Sequence, residues 1–210
     1  MSDSTPRLLA DCPAVIFISY TVGEEAVARG YCPWLVETDN PFFNAIPGVH
    51  HYANWRVDEV VKGGPLAWAW FDFQGLVSES DLERVWFNPD LDAFRKEWIR
   101  LWGYGKQEPP PVTRHAYLMR PTLRASGTPA VTARLCGGTG ASPARADQVF
   151  VVTDVLAKHF AGVGAARWKW PAAEGNPLAL DWLAVDYSPV TAPVPSGAEV
   201  VLSTSLVAAP

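Results

Sequence analysis

Two stretches indicate the fold: residues 66–73 read LAWAWFDF, and residues 87–98 read FNPDLDAFRKEW. The first is rich in aromatic and apolar residues, which is typical of a buried β-strand. In the second, Asn88 precedes Pro89, so the asparagine can cap a helix whose first turn tolerates proline. Apolar residues then recur at helical spacing up to Trp102. A strand followed by an amphipathic helix is therefore expected.

Further elements flank this pair. Strands are expected at residues 14–20 (AVIFISY), 50–57 (HHYANWRV) and 115–119 (HAYLM). Residues 24–40 between the first two strands fit an interrupted helix. A capping box, in which Ser80 and Glu83 satisfy each other's backbone donors, is expected to begin another helix before Asn88. The element order becomes β-α-β-β-α-β, which is the ferredoxin-like unit.

The second half of the chain repeats part of the first. Residues 64–71 (GPLAWAWF) resemble residues 176–183 (NPLALDWL), and such self-similarity indicates duplication. Strands are expected at 130–135 and 199–208, a helix at 144–160, and no second long helix. We therefore predict an α+β fold of two ferredoxin-like βαββαβ halves, the second lacking one helix, that form an α+β barrel. The expected divisions are a flexible arm at residues 1–12, a complete half at 13–121 and a degenerate half at 122–210.

This element order, with the strand LAWAWFDF and the capped helix FNPDLDAFRKEW, resembles the dimeric α+β barrel superfamily, which includes EthD-like and antibiotic-biosynthesis-monooxygenase-like proteins. The resemblance covers residues 14–120 well and residues 130–208 weakly. It implies pockets inside a barrel or between its sheet and helices. Members include cofactor-free monooxygenases, cyclases, lactone isomerases and haem enzymes, so the fold does not name a reaction.

Composition narrows the possible partners. The net charge is −5 and no lysine and arginine cluster is present, so neither nucleic acid nor an anionic membrane is expected as a partner. No apolar run approaches the ~20 residues that span a bilayer. The amino terminus lacks a signal-peptide pattern, and the three cysteines lack a disulfide or zinc spacing. A cytoplasmic location is therefore expected.

The strand at residues 50–57 carries the most unusual polar residues. Successive strand residues face opposite sides, so His50, Tyr52 and Asn54 are expected on one face and His51 on the other. Imidazole suits proton transfer near neutral pH, and Tyr52 and Asn54 could hold a substrate oxygen. Either histidine could face a cavity, or both could be structural residues bonded to loop backbone.

Two other strands add candidate residues. Trp68, Trp70 and Asp72 are expected on one face, where an apolar pocket would raise the pKa of a carboxyl group. Alternatively, Asp72 lies in water at the strand end. His115 and Tyr117 share a face of the strand that follows. The catalytic candidates are His50, His51, Asp72 and His115, and the substrate-binding candidates are Tyr52, Asn54, Trp68, Trp70 and Tyr117. No metal site is predicted, because zinc-motif spacings are lacking.

These patterns predict an enzyme that acts on a small apolar, aromatic or polyketide-like molecule by histidine-centred acid/base chemistry, without an organic cofactor. The step could be that of a lyase, isomerase, cyclase or cofactor-free oxygenase. The alternative is a non-catalytic protein that binds an apolar ligand or serves in assembly, and haem binding is a third possibility. A homodimer is expected, because an uncovered sheet face would expose large apolar side chains at about 1.5–3 kcal/mol each.

Overall fold

Eight strands form one closed antiparallel barrel. The computed structural model describes residues 11–64, 66, 68–102, 112–123, 131–162, 180–187 and 193–209. The strands are β1 (Ala14–Val22), β2 (Val49–Lys62), β3 (Trp70–Leu76), β4 (Val112–Leu123), β5 (Thr132–Gly138), β6 (Gln148–Val155), β7 (Trp182–Asp186) and β8 (Ala198–Ala208). Around the barrel they follow the order β1-β3-β2-β8-β5-β7-β6-β4.

The helices lie almost entirely in the first half of the chain. They are α1 (Glu24–Ala28), α2 (Tyr31–Trp34), a π-helical turn (Leu35–Asp39), α3 (Asn40–Asn44), α4 (Asp81–Trp86), α5 (Pro89–Leu101) and α6 (Leu156–Gly162). Of the helices in the described ranges, α6 alone belongs to the second half. None of the described helices is long and apolar enough to cross a lipid bilayer.

The prediction of a ferredoxin-like α+β barrel is wrong. Strand residues outnumber helical residues in the described ranges, so the fold is a mostly β closed barrel. The difference lies chiefly in residues 144–160, where the sequence pattern predicts a helix. The centre of that range forms β6, whose residues QVFVVTDV are mostly β-branched or aromatic and favour a strand. The second half therefore contributes strands where a layer of helices was expected.

The two halves of the chain share this single barrel. Each half supplies four consecutive strands in the same relative order, β4-β1-β3-β2 in the first and β8-β5-β7-β6 in the second. Trp70 and Trp182 begin the corresponding strands β3 and β7. The halves join where β2 pairs with β8 and where β4 pairs with β6. Residues 1–10 of the expected arm lie outside the described residues.

The dimer prediction assumes that one apolar sheet face of the first half is left uncovered. In the structure this face lies inside the barrel and is buried. The ring centroid of Phe17 lies 5.9 Å from that of Trp68, 5.5 Å from that of Phe71 and 5.3 Å from that of Phe73. Leu135 and other residues of the second half complete the same cluster. Because one chain covers this face by itself, the physical reason given for dimerisation is removed, and the homodimer stays a prediction.

The capping residue of α5 permits a test of local stability. The side chain of Asn88 accepts a hydrogen bond from the backbone N–H of Asp90 at 2.9 Å, as expected. The capping box at Ser80 is not formed, since the Ser80 side chain makes no cap hydrogen bond. We expect Asn88→Ala to lower the free energy of unfolding by about 1 kcal/mol, and Ser80→Ala to change it by less than about 0.5 kcal/mol. Urea unfolding measures both, and equal losses would contradict the capping assignment.

Candidate functional site

A cavity lies between the outer face of the barrel and the helices of the first half. Side chains alternate along β3, so Phe71 and Phe73 belong to the barrel interior whereas Trp70 packs against the helices. Asp72 and Gln74 share the face of Trp70 and line the cavity. The cavity has a volume of ≈ 40 Å³, which is enough for a few water molecules.

Two carboxyl groups meet at one tyrosine in this cavity. The hydroxyl of Tyr52 lies 2.9 Å from Oδ2 of Asp39 and 2.9 Å from Oδ2 of Asp72. Each of the three residues is at most 5% exposed. A phenol has one proton and can donate to only one of the two carboxyl groups. Both contacts become hydrogen bonds when one carboxyl group is protonated and donates to the tyrosine oxygen, so the aspartates hold one proton between them.

Asp72 is held from its other side by β1 and β2. The hydroxyl of Tyr20 donates to Oδ1 of Asp72 at 3.0 Å, and the amide of Asn54 donates to the same oxygen at 2.9 Å. The amide of Asn54 also lies 3.1 Å from Oδ2 of Asp39. These bonds fix the orientation of the Asp72 carboxyl group and leave its Oδ2 directed at Tyr52.

The first and last residues of α3, both asparagines, support this arrangement. Asn40 follows Asp39 directly and donates to Oδ1 of Asn54 and to the backbone carbonyl of Tyr52, both at 3.0 Å. Asn44 accepts from the backbone N–H of Tyr52 at 2.8 Å. π-helical turns are rare and frequently occur at functional sites. Here the turn ends on Asp39, and the asparagines tie that end of the turn to β2.

The surroundings make Asp72 a weak acid. Burial and, second, the charge of Asp39 raise the pKa of Asp72 to about 8, against the hydrogen bonds from Tyr52, Asn54 and Tyr20, which lower it. Burial and the same carboxylates raise the pKa values of Tyr20 and Tyr52 well above their usual range. At neutral pH, Asp72 is therefore protonated, and both tyrosines keep their hydroxyl protons.

Aromatic side chains form the opening of the cavity. Phe43, Phe94 and Arg95 are half-buried, whereas most of the lining is fully buried. Phe43 stacks on Tyr52 with ring centroids 4.5 Å apart, and Phe94 packs edge-on against Phe43 at 5.5 Å. Arg95 donates to the backbone carbonyl of Trp86 at 2.7 Å. Polar side chains thus line the inner part of the cavity, and Phe43 and Phe94 form an aromatic rim at its opening.

Comparison with known proteins does not name this arrangement. None of the family models matches the chain, and no curated protein and no solved structure is significantly similar to it. The resemblance to the dimeric α+β barrel superfamily stays a prediction, and the geometry of the site is the basis for a function. In the described ranges, no group of three or more His, Cys, Asp or Glu side chains is placed to hold a metal ion.

Some of the candidate residues are brought together and others are separated. Tyr52 and Asp72 line the cavity, Asn54 bonds to Asp72, and Trp70 packs in the same outer cluster. The placement of Trp68 on this face is wrong, because its side chain belongs to the barrel interior. The regular alternation begins only where β3 begins, at Trp70, and does not extend back to Trp68.

The histidines of β2 lie at a β-bulge. Val49 pairs with Leu76 and His51 pairs with Gly75, so His50 is the extra residue on this strand. The bulge interrupts the alternation on which His50 was grouped with Tyr52. The described lining of the cavity includes neither His50 nor His51.

The candidates on β4 are placed only by their backbone. His115 pairs with Ser19 of β1, and Tyr117 pairs with Phe17. Their side chains lie outside the described residues, so their roles stay predictions.

Several residues of the site were not predicted from the sequence, among them Tyr20, Asp39 and Gln74. Gln74 follows Asp72 by two positions, and Tyr20 follows Ile18 by two, so strand alternation could have placed both. Asp39 offered no comparable signal, because it meets Tyr52, 13 positions away, only through the fold of the π-helical turn.

Proposed function

We propose that this chain is an enzyme that transfers protons to and from a small, largely apolar molecule, with Asp72 as the exchanging group and without an organic cofactor. The observation that supports this most is the Tyr52 hydroxyl, placed 2.9 Å from a carboxyl oxygen of both Asp39 and Asp72. Two carboxyl groups that share a buried site repel each other when both ionise, which costs stability. Such perturbed pairs concentrate at catalytic sites.

The pair can give a proton and take it back. While Asp72 is protonated, it donates to the oxygen of Tyr52, and Tyr52 donates to Asp39. When Asp72 passes its proton to a substrate, the hydrogen bonds from Tyr20 and Asn54 stabilise the carboxylate that forms. Tyr52 can then turn its proton from Asp39 to Asp72. A single group that both gives and takes a proton suits isomerase, lyase and cyclase steps, and these are the reaction classes we favour.

The dimensions of the site limit how a substrate enters. A cavity of ≈ 40 Å³ admits only a few atoms, whereas complete small-molecule pockets span about 300–1,000 Å³. The reacting polar end of the molecule would lie beside Asp72. Its apolar remainder would lie against the rim formed by Phe43 and Phe94, where aromatic rings offer stacking surfaces.

A carbon acid provides a direct test of proton transfer. The probe is 5-nitrobenzisoxazole, whose ring opens to a cyanophenolate when a base removes its C–H proton. We expect the protein to accelerate this reaction, with a rate that rises through about pH 8 as Asp72 ionises. Asp72→Asn should lower the rate at least about tenfold. Asp90→Asn, which removes an exposed carboxyl group, is the matched control and should leave the rate unchanged.

Other outcomes separate the alternatives. A rate equal to that of buffer at every pH, or an equal rate in Asp72→Asn, would contradict the proposal. Binding of the probe without turnover would favour the non-catalytic apolar-ligand protein. A Soret absorbance band after addition of haem would favour a haem protein.

Location and assembly complete the proposal. We place the protein in the cytoplasm, because Cys12, Cys32 and Cys136 are free thiols, as a reducing compartment keeps them. Analytical ultracentrifugation measures the mass in solution and tests the predicted homodimer. A mass near 22.9 kDa at every concentration would contradict it.

A further inference from the structure

Gln74 presents an unpaired amide to the cavity. It lies on β3 two residues after Asp72, lines the cavity and is 1% exposed. Neither its Oε1 nor its Nε2 has a hydrogen-bond partner. Buried side-chain amides are nearly always paired, and each exception needs a physical reason. A ligand that supplies the missing partners is such a reason.

A second buried glutamine, Gln148, differs from Gln74 in its position relative to the cavity. Gln148 is also fully buried, and both of its amide atoms also lack a partner. It lies on β6, and the cavity lining does not include it. The amide of Gln148 is thus outside the described lining of this cavity, whereas the amide of Gln74 borders it together with Asp72.

We propose that Gln74 binds the polar head of the substrate, and that this head is an uncharged carbonyl group with a neighbouring N–H or O–H donor. This inference rests on the proposed function, because it identifies the substrate class of the same site. The amide of Gln74 offers a donor and an acceptor side by side, so a carbonyl oxygen and an adjacent donor satisfy both. Carboxamides, lactams and enolised diketones have this pattern.

The charge and spacing of the site support an uncharged head. One negative charge shared by Asp39 and Asp72 disfavours a carboxylate in the same buried space. The guanidinium of Arg95 donates to the backbone carbonyl of Trp86, and its Nη1 lies 3.8 Å from Oδ1 of Asp92. Residues two apart on a strand are separated by about 6.6 Å. A head that is bound to Gln74 therefore reaches the neighbourhood of Asp72.

Binding of four aromatic probes tests the inference. Benzamide has the acceptor and the donor, acetophenone has only the acceptor, toluene has neither, and benzoate is charged. Quenching of tryptophan fluorescence reports binding, because Trp86 and Trp98 line the cavity. We expect benzamide to bind most tightly. Gln74→Met should weaken benzamide at least about tenfold and leave toluene unchanged, while Gln148→Met leaves both unchanged.

Several results would overturn the inference. These are undiminished benzamide binding in Gln74→Met, tighter binding of benzoate than of benzamide, and no benzamide binding by the unaltered protein. If Gln74→Met does not fold, Gln74→Leu is measured in its place. The reaction with 5-nitrobenzisoxazole separates the two proposals. If the rate of this reaction depends on Asp72 but the affinity for benzamide does not change in Gln74→Met, then only the substrate class is wrong.

Discussion

Asp72→Asn is expected to make the protein more stable at alkaline pH, although it removes the group that we place at the centre of the reaction. The asparagine fits the hydrogen bonds of the protonated acid. Its Oδ1 can accept from Tyr20 and Asn54, and its amide can donate to the oxygen of Tyr52, as the carboxylic acid does. The variant therefore keeps the hydrogen bonds of protonated Asp72 and cannot ionise at this position.

The direction of this pH dependence follows from the number of protons that the folded and unfolded states bind. The pKa of Asp72 is about 8 in the folded protein and about 3.9 in an unfolded chain. Between these values the folded state holds one proton more than the unfolded state, so the free energy of unfolding falls as pH rises. The slope is at most about 1.4 kcal/mol per pH unit, which accumulates to roughly 5 kcal/mol by pH 8. This stability is fully present below about pH 4 and is lost by about pH 8.

Thermal and urea unfolding between about pH 4 and about pH 9 measure this difference. The curves of the wild type and of Asp72→Asn should converge in acid and separate in alkali, with Asp72→Asn the more stable. Asp39→Asn should narrow the pH range over which stability falls and so reduce the total loss, because the neighbouring charge that raises the pKa of Asp72 is removed. Asp90→Asn is the control and should follow the wild type. Parallel curves for Asp72→Asn and the wild type would contradict a protonated Asp72.

Arg134→Met is expected to lower the free energy of unfolding by about 3–5 kcal/mol. Nη2 of Arg134 lies 2.6 Å from Oδ2 of Asp186, and the same guanidinium also donates through Nε at 3.3 Å. The two residues are 8% and 4% exposed. Without the arginine, the hydrogen bond that the described part of the chain leaves to this buried carboxylate is the longer one from the backbone N–H of Asp147 at 3.3 Å, so most of its desolvation cost is uncompensated.

Two further variants show whether the cost comes from the unpaired charge. Arg134→Met combined with Asp186→Leu removes both charges and should recover most of the loss, because an apolar pair of similar size replaces the ion pair. Arg100→Met breaks an ion pair with Glu97 whose side chains are 65% and 51% exposed, and it should change the free energy of unfolding little, because solvent screens exposed charges. Equal losses for Arg134→Met and Arg100→Met in urea unfolding would contradict this account.

Local sequence patterns predicted most of the first half. The strand at residues 14–20, the strand containing Tyr52 and the cap at Asn88 are all confirmed, because each depends on neighbours along the chain. The helix expected at residues 24–40 is divided at Gly30, whose φ of 102° lies in the left-handed region that glycine adopts readily. The predictions were weaker where a segment is fixed by distant partners, as in β6, which lies between β4 and β7.

By itself, the sequence determined which strands could form and that Tyr52, Asn54 and Asp72 are polar residues on apolar strands. Period-two alternation and capping act over a few residues, so one chain is enough to show them. Only the tertiary structure decided that the sheet closes into one barrel, that the cavity lies outside it, and that Asp39 meets Asp72 through Tyr52. These depend on strand pairing and on a π-helical turn that bring together residues distant in sequence. The shared proton follows from that proximity, because two carboxyl groups perturb each other only when folding buries them side by side.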